Sequence, residues 1–167
     1  MGQLALKTDW GMALLTNVIW VDSQRGGFVA YWVKLVYERN TYLVDLESIS
    51  AFSSESNKRI TFWLPNSSQP LIIHYQTHPE AYKQILEYLK KTLERPSREG
   101  WIKIGYERND YFIDLNRISS FACEPNGRIT FWLPESTKDI IINPQSNPEA
   151  YQKLQDYIKH RTGLSLP

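Results

Sequence analysis

From residue 32 onward, apolar and polar positions alternate in short runs, and each series of runs ends in a segment whose apolar residues return every three or four places. Trp32-Val33-Lys34-Leu35-Val36-Tyr37 predicts a strand and Glu38-Arg39-Asn40-Thr41 a turn. Tyr42-Leu43-Val44-Asp45-Leu46 predicts a second strand that carries on, bent, through Ile49 and Phe52. A third strand over Arg59 to Leu64 is closed by Pro65, which cannot donate to a ladder, and Leu71-Ile72-Ile73 makes a fourth. Behind Pro79 and Glu80, a first turn in which a missing N–H is harmless and a carboxylate suits the dipole, Tyr82, Ile85, Leu86, Leu89 and Leu93 fall at helical spacing. The unit reads ββββα.

The same unit is written twice. Arg59-Ile60-Thr61-Phe62-Trp63-Leu64-Pro65 returns as Arg128-Ile129-Thr130-Phe131-Trp132-Leu133-Pro134, at an offset of 69 residues that holds without a gap. Tyr37-Glu38-Arg39-Asn40 returns as Tyr106-Glu107-Arg108-Asn109, and Pro79-Glu80-Ala81-Tyr82 as Pro148-Glu149-Ala150-Tyr151. About half of positions 32–93 equal their partners. The period is too long for the common solenoid repeats, so this is a duplicated domain. The expected organisation is an N-terminal extension over 1–31, a first repeat over 32–94, a linker over 95–100, a second repeat over 101–162 and a tail over 163–167.

In the extension, Asn17 to Val21 and Phe28 to Trp32 are rich in β-formers around the turn-forming stretch Asp22 to Gly27, which predicts an extra hairpin leading into the first repeat. Residues 1–16 read as a short helix or an arm. In the second repeat Pro125-Asn126-Gly127 places Asn-Gly where a tight hairpin wants a positive φ. Asn147 is the expected N-cap of the second helix. The fold class is α+β, with antiparallel sheets each closed by a C-terminal amphipathic helix. In element order alone, the strands and final helix of each repeat resemble a trimmed pleckstrin-homology-type arrangement, and no ligand is carried over from that resemblance.

Composition narrows the function classes. A chain of 167 residues with 42% hydrophobic and 13% aromatic content can bury a core, whereas one repeat of roughly 60 residues alone would be marginal, so the repeats are expected to pack on each other. A net charge of +1 gives no long-range field for a polyanion or an acidic membrane. The single cysteine, Cys123, leaves no disulfide framework and no multi-cysteine metal site, which fits a reducing, cytoplasmic compartment. The N-terminus has neither the basic region nor the apolar run of a signal peptide, and Leu6 stands where a myristoylation motif needs Ser or Thr.

No constellation for catalysis emerges. His74, His78 and His160 do not repeat, and Cys123 faces Ser54 in the other copy with no histidine nearby. Asp45 and Asp114 read as turn caps or partners of a basic neighbour. Strand alternation places Ile60, Phe62 and Leu64 under the helix and Arg59, Thr61 and Trp63 on the opposite face, with Trp132, Arg128, Trp32 and Trp101 following suit. Those faces are expected either to bury each other or to form an aromatic docking surface. The Tyr-Glu-Arg-Asn tips read as turns in which Asn is left-handed and Glu pairs with Arg, or as two equivalent grips. The resulting expectation is a non-enzymatic protein-interaction or scaffold module, two repeats about a pseudo-twofold axis. Its candidate partner-binding residues are Trp63, Trp132, Arg59, Arg128, Glu38, Arg39, Glu107, Arg108, Trp32 and Trp101. No cofactor or metal is expected, a protein is the first partner with a homo-oligomer as an option, and nucleic acid ranks below. Single-stranded nucleic-acid (RNA) binding is the alternative, since aromatics and arginines together stack bases.

Overall fold

The computed structural model describes residues 18–22, 29–96 and 98–167, with side chains from Tyr31 onward. Of the turn expected over Asp22 to Gly27, residues 23–27 lie outside the described residues, as does the segment 1–16, and Asp22 ends a strand. The fold is mixed α+β, with eleven strands in three antiparallel sheets and two α-helices among the described residues. A first sheet is formed by β1 (Val18–Asp22), β2 (Val29–Tyr37) and β3 (Asn40–Asp45), in that order. A central sheet of five strands runs β6 (Pro70–His74), β5 (Arg59–Trp63), β4 (Ala51–Glu55), β8 (Asn109–Asp114), β7 (Trp101–Tyr106). A third sheet runs β11 (Asp139–Ile142), β10 (Ile129–Trp132), β9 (Phe121–Cys123). Helix α1 (Pro79–Glu94) ends the first half and α2 (Pro148–Thr162) the second.

Each repeat therefore holds five strands and a helix, where the apolar pattern predicted four strands, and β1 lies ahead of the first repeat. The expected bent strand through Asp45 is broken because Asp45 Oδ1 accepts from the Glu47 N–H at 3.0 Å, and Asp114 Oδ1 from that of Asn116 at the same distance. A carboxylate that captures the amide two residues on draws it out of the ladder and starts a 3-10 turn, at Leu46–Ser48 and again at Leu115–Arg117. The buried Leu46 and Leu115 anchor these turns, and each hands the chain from one sheet to the next.

The halves join edge to edge. Strand β4 of the first pairs antiparallel with β8 of the second, Phe52 opposite Phe112 and Ser54 opposite Asp110. A twofold axis would demand the reciprocal pairing of β3 with β9, and those strands are edges of different sheets. The expected pseudo-twofold arrangement is thus corrected: the junction is heterologous, head to tail. It is tied by Arg117, which donates to the carbonyls of Ser48 at 3.1 Å and Glu47 at 3.2 Å, and by an ion pair between Arg98 and the Glu47 carboxylate.

Each face of the central sheet carries a buried cluster, and period-two alternation sorts the residues between them. Phe52, Ile60, Phe62, Leu71 and Ile73, joined by Trp101 and Phe112, meet the first sheet and α1. Ala51, Ile104, Tyr111 and Ile113 meet Phe131, Leu133 and Ile140 of the second half and Leu154 of α2. Each fully buried Phe or Ile contributes about 1.5–3 kcal/mol, so the central sheet is the most heavily supported layer. Asn147 occupies the N-cap of α2 but caps nothing with its side chain, which instead donates to the Gly105 carbonyl at 2.8 Å and holds the helix start on β7.

Candidate nucleic-acid interface

The hairpins β2–β3 and β7–β8 close with two-residue loops, Tyr37 opposite Asn40 and Tyr106 opposite Asn109. Both central residues of each loop are left-handed: Glu38 (φ 47°) and Arg39 (φ 69°), Glu107 (φ 49°) and Arg108 (φ 66°). This is the type I′ geometry that matches strand twist and that Asn-Gly fills without strain. A residue with a Cβ loses roughly 1–2 kcal/mol there, and both halves accept that cost at two successive positions. The left-handed residues are thus Glu and Arg, not the Asn foreseen from sequence.

Nor does Glu pair with Arg. Glu107 accepts from Lys138 Nζ at 2.6 Å, a partner 31 residues away, and the bond holds the ammonium pKa above its usual value. Lys138 also lies 5.4 Å from the centre of the Tyr106 ring. Burial first, and then the Glu107 charge, pushes the Tyr106 phenol up. Arg39 and Arg108 are exposed, and among the described residues neither has a hydrogen bond or an ion pair. Because Ser54 pairs with Asp110, the tip of β4–β5 leaves the same end of the central sheet as Arg108 and stands beside it. That tip presents the exposed Lys58, left-handed at φ 61° and 4.9 Å from the centre of the Tyr75 ring.

The remaining expected site residues are dispersed. Arg59 is clamped by Glu55 through two bonds of 2.8 and 2.6 Å, and Arg128 by Glu124 through bonds of 3.1 and 2.5 Å, so both staple their own hairpins. Trp101 is only 8% exposed and packs in the first core, its ring centre 6.3 Å from that of Phe52. Trp63 is half-buried against the second core. Trp32 and Trp132 are exposed, at 37% and 48%, on the outward faces of the first and third sheets. Among the described residues, Trp32, Trp63, Trp101 and Trp132 form no common patch. No local pattern in the sequence marks Lys58 or Lys138, whose roles depend on neighbours brought near by folding.

A cleft of about 610 Å³ opens between the turns that follow β5 and β10, lined by Trp63, Asn66, Ser67, Pro70, Glu135 and Ser136. Glu135 is the one carboxylate on its wall. Among the described residues no group of three or more His, Cys, Asp or Glu side chains could hold a metal ion. No helix there is long and apolar enough to cross a membrane.

No family model matches the sequence, and no curated protein matches it. One solved structure to which the chain is similar is the LytTr DNA-binding domain of a methyl-accepting/DNA response regulator from Bacillus cereus, with a TM-score of 0.44 and 13% identity over 74% of this chain and 94% of that one. That neighbour is a DNA-binding domain, and it overturns two expectations: a protein-interaction scaffold as the function, and a protein ranked above nucleic acid as the partner.

Proposed function

We propose that the chain binds duplex DNA and that its contact elements are the two Glu-Arg hairpin tips. One observation carries this reading: the same two residues are held left-handed at the same place in both halves, and each pair presents an exposed guanidinium that has no partner among the described residues. Strain kept where glycine would relieve it points to a use for the side chains. A two-stranded ribbon fits the major groove, and an arginine at its end reaches guanine O6 and N7, or a phosphate, in bidentate fashion. Lys58, beside Arg108, adds a phosphate contact that positions without reading sequence.

With a net charge of +1, affinity comes from contacts at the tips and few phosphates are neutralised. In this reading residues 32–94 and 101–162 are two copies of one reading unit tied by 95–100, working without a reaction or a cofactor in the cytoplasm. Single-stranded nucleic acid is less well supported, because a stacking platform needs neighbouring rings and Trp32 and Trp132 lie on the outward faces of different sheets.

The test is selection of bound sequences from a random duplex library at low salt, followed by fluorescence anisotropy on the enriched duplex. Replacing Arg39 and Arg108 by Ala should cost about 1–3 kcal/mol per arginine and make the salt dependence shallower by about two ions. A library that yields no enrichment, or a double variant that binds like the parent, would sink the reading. Preference for single strands would replace it.

A further inference from the structure

The two outward faces of the molecule are sequence counterparts of the two sides of its internal junction. At that junction β8 and β7 present Phe112 and Trp101 to the first half; the corresponding residues of β3 and β2 are Leu43 and Trp32. Phe112 and Trp101 are each 8% exposed, whereas Leu43 is 62% and Trp32 37% exposed. On the other side of the junction, β4 and α1 offer Phe52, Ser53 and Tyr88, all buried. Their counterparts, Phe121 and Ala122 of β9 and Tyr157 of α2, are half-buried, exposed and half-buried. Strands β3 and β9 are edges, with no strand partner on their outer side among the described residues.

We infer that β9 and the adjoining face of one copy of this chain dock on the β2–β3 hairpin of a second copy, repeating between molecules the β4–β8 junction found within one. The register follows from the internal pairing. Phe52 opposite Phe112 translates to Phe121 opposite Leu43, and Ser53 opposite Tyr111 to Ala122 opposite Tyr42. The contact is heterologous, so each copy uses one head and one tail and assembly continues beyond two. It is also weaker than the internal junction. Strand β9 has three residues where β4 has five, and the Arg98–Glu47 pair has Val29 and Asn116 at the corresponding places. Assembly therefore follows concentration and reverses on dilution. The inference rests on the exposure pattern and the topology and is independent of the DNA reading.

Analytical ultracentrifugation of the full chain up to about 1 mM, where a contact of ~4 kcal/mol would be half formed, tests it. The mean mass of the parent should climb past that of a dimer. Leu43→Glu spoils the head and Ala122→Glu the tail; both sites are exposed, so circular dichroism and the melting temperature should not change. Each variant alone should bind itself at least about tenfold more weakly and stay monomeric. An equimolar mixture, which still holds one intact head and one intact tail, should form dimers and stop there. A parent that stays monomeric, a variant that assembles like the parent, or a mixture that shows no dimer would each overturn the inference.

Discussion

The halves share about half their residues, yet equivalent side chains live in different surroundings. Trp101 is buried between the halves while Trp32 faces outward; Tyr88 is sealed at 1% exposure while Tyr157 reaches solvent and donates to Asn116 at 2.8 Å. Burial here is set by rank in the stack of sheets and not by residue type. What a repeated residue contributes to stability is then a property of what the neighbouring half lays over it.

The sharpest way to break that comparison is to truncate the equivalent tryptophans. Trp101→Ala should cost about 3–5 kcal/mol, as expected for a large aromatic removed from a filled core, and Trp32→Ala no more than about 1 kcal/mol, both measured by urea denaturation. Equal losses would mean that the junction does not shield Trp101.

Next comes Gly100, which is paired in the alignment with Tyr31. It sits at φ 104°, and a Cβ there would collide with the Asn116 side chain, which donates to the Glu99 carbonyl at 2.7 Å. Gly100→Ala should cost on the order of 2–3 kcal/mol through strain and the displaced amide, read from the shift in thermal midpoint.

The loops between β4 and β5 and between β9 and β10 offer a smaller and opposed pair of effects. Lys58 and Gly127 fill the same left-handed site. Lys58→Gly should stabilise by a few tenths to about 1 kcal/mol and Gly127→Ala destabilise by about as much, in chemical denaturation of the single variants. Two shifts of the same sign would show that the loops are not equivalent.

The subtlest contrast is in alkali. Burial, above all, raises the Tyr88 phenol from 10.0 to about 12, with its oxygen lacking a well-formed hydrogen bond and Thr92 only partly offsetting the loss of water. Because the folded value lies above the unfolded one, the stability linked to Tyr88 is intact below pH 10.0 and is lost as pH rises through about 12. Tyr88→Phe should flatten that decline in a pH series of thermal melts, and Tyr157→Phe should flatten it less.

Local features were legible in the sequence. Period-two runs mark the strand faces, Pro79 and Pro148 open helices at the predicted places, and the Glu-Arg stretches sit at hairpin tips. What escaped sequence reading is non-local. A turn-capping Asp inside an apolar run looks like a strand residue until the chain is seen to leave the sheet. The β4–β8 pairing joins residues about sixty positions apart, and nothing near Ala51 or Ile113 announces it. The same distance hides the site: Arg39 and Arg108 could be placed at tips, but the Lys138 that draws Glu107 away from Arg108 could not. Trp32 and Trp101, identical residues in similar strands, could not be told apart because the difference lies in what covers them.

The non-reciprocal junction also bears on how such a gene can change length. A twofold pairing would satisfy both edges and close the molecule at two copies. Here unequal crossing-over that added a third copy in frame would lengthen the stack by one layer and leave the existing cores untouched, and the new end would be as open to further growth as the old one.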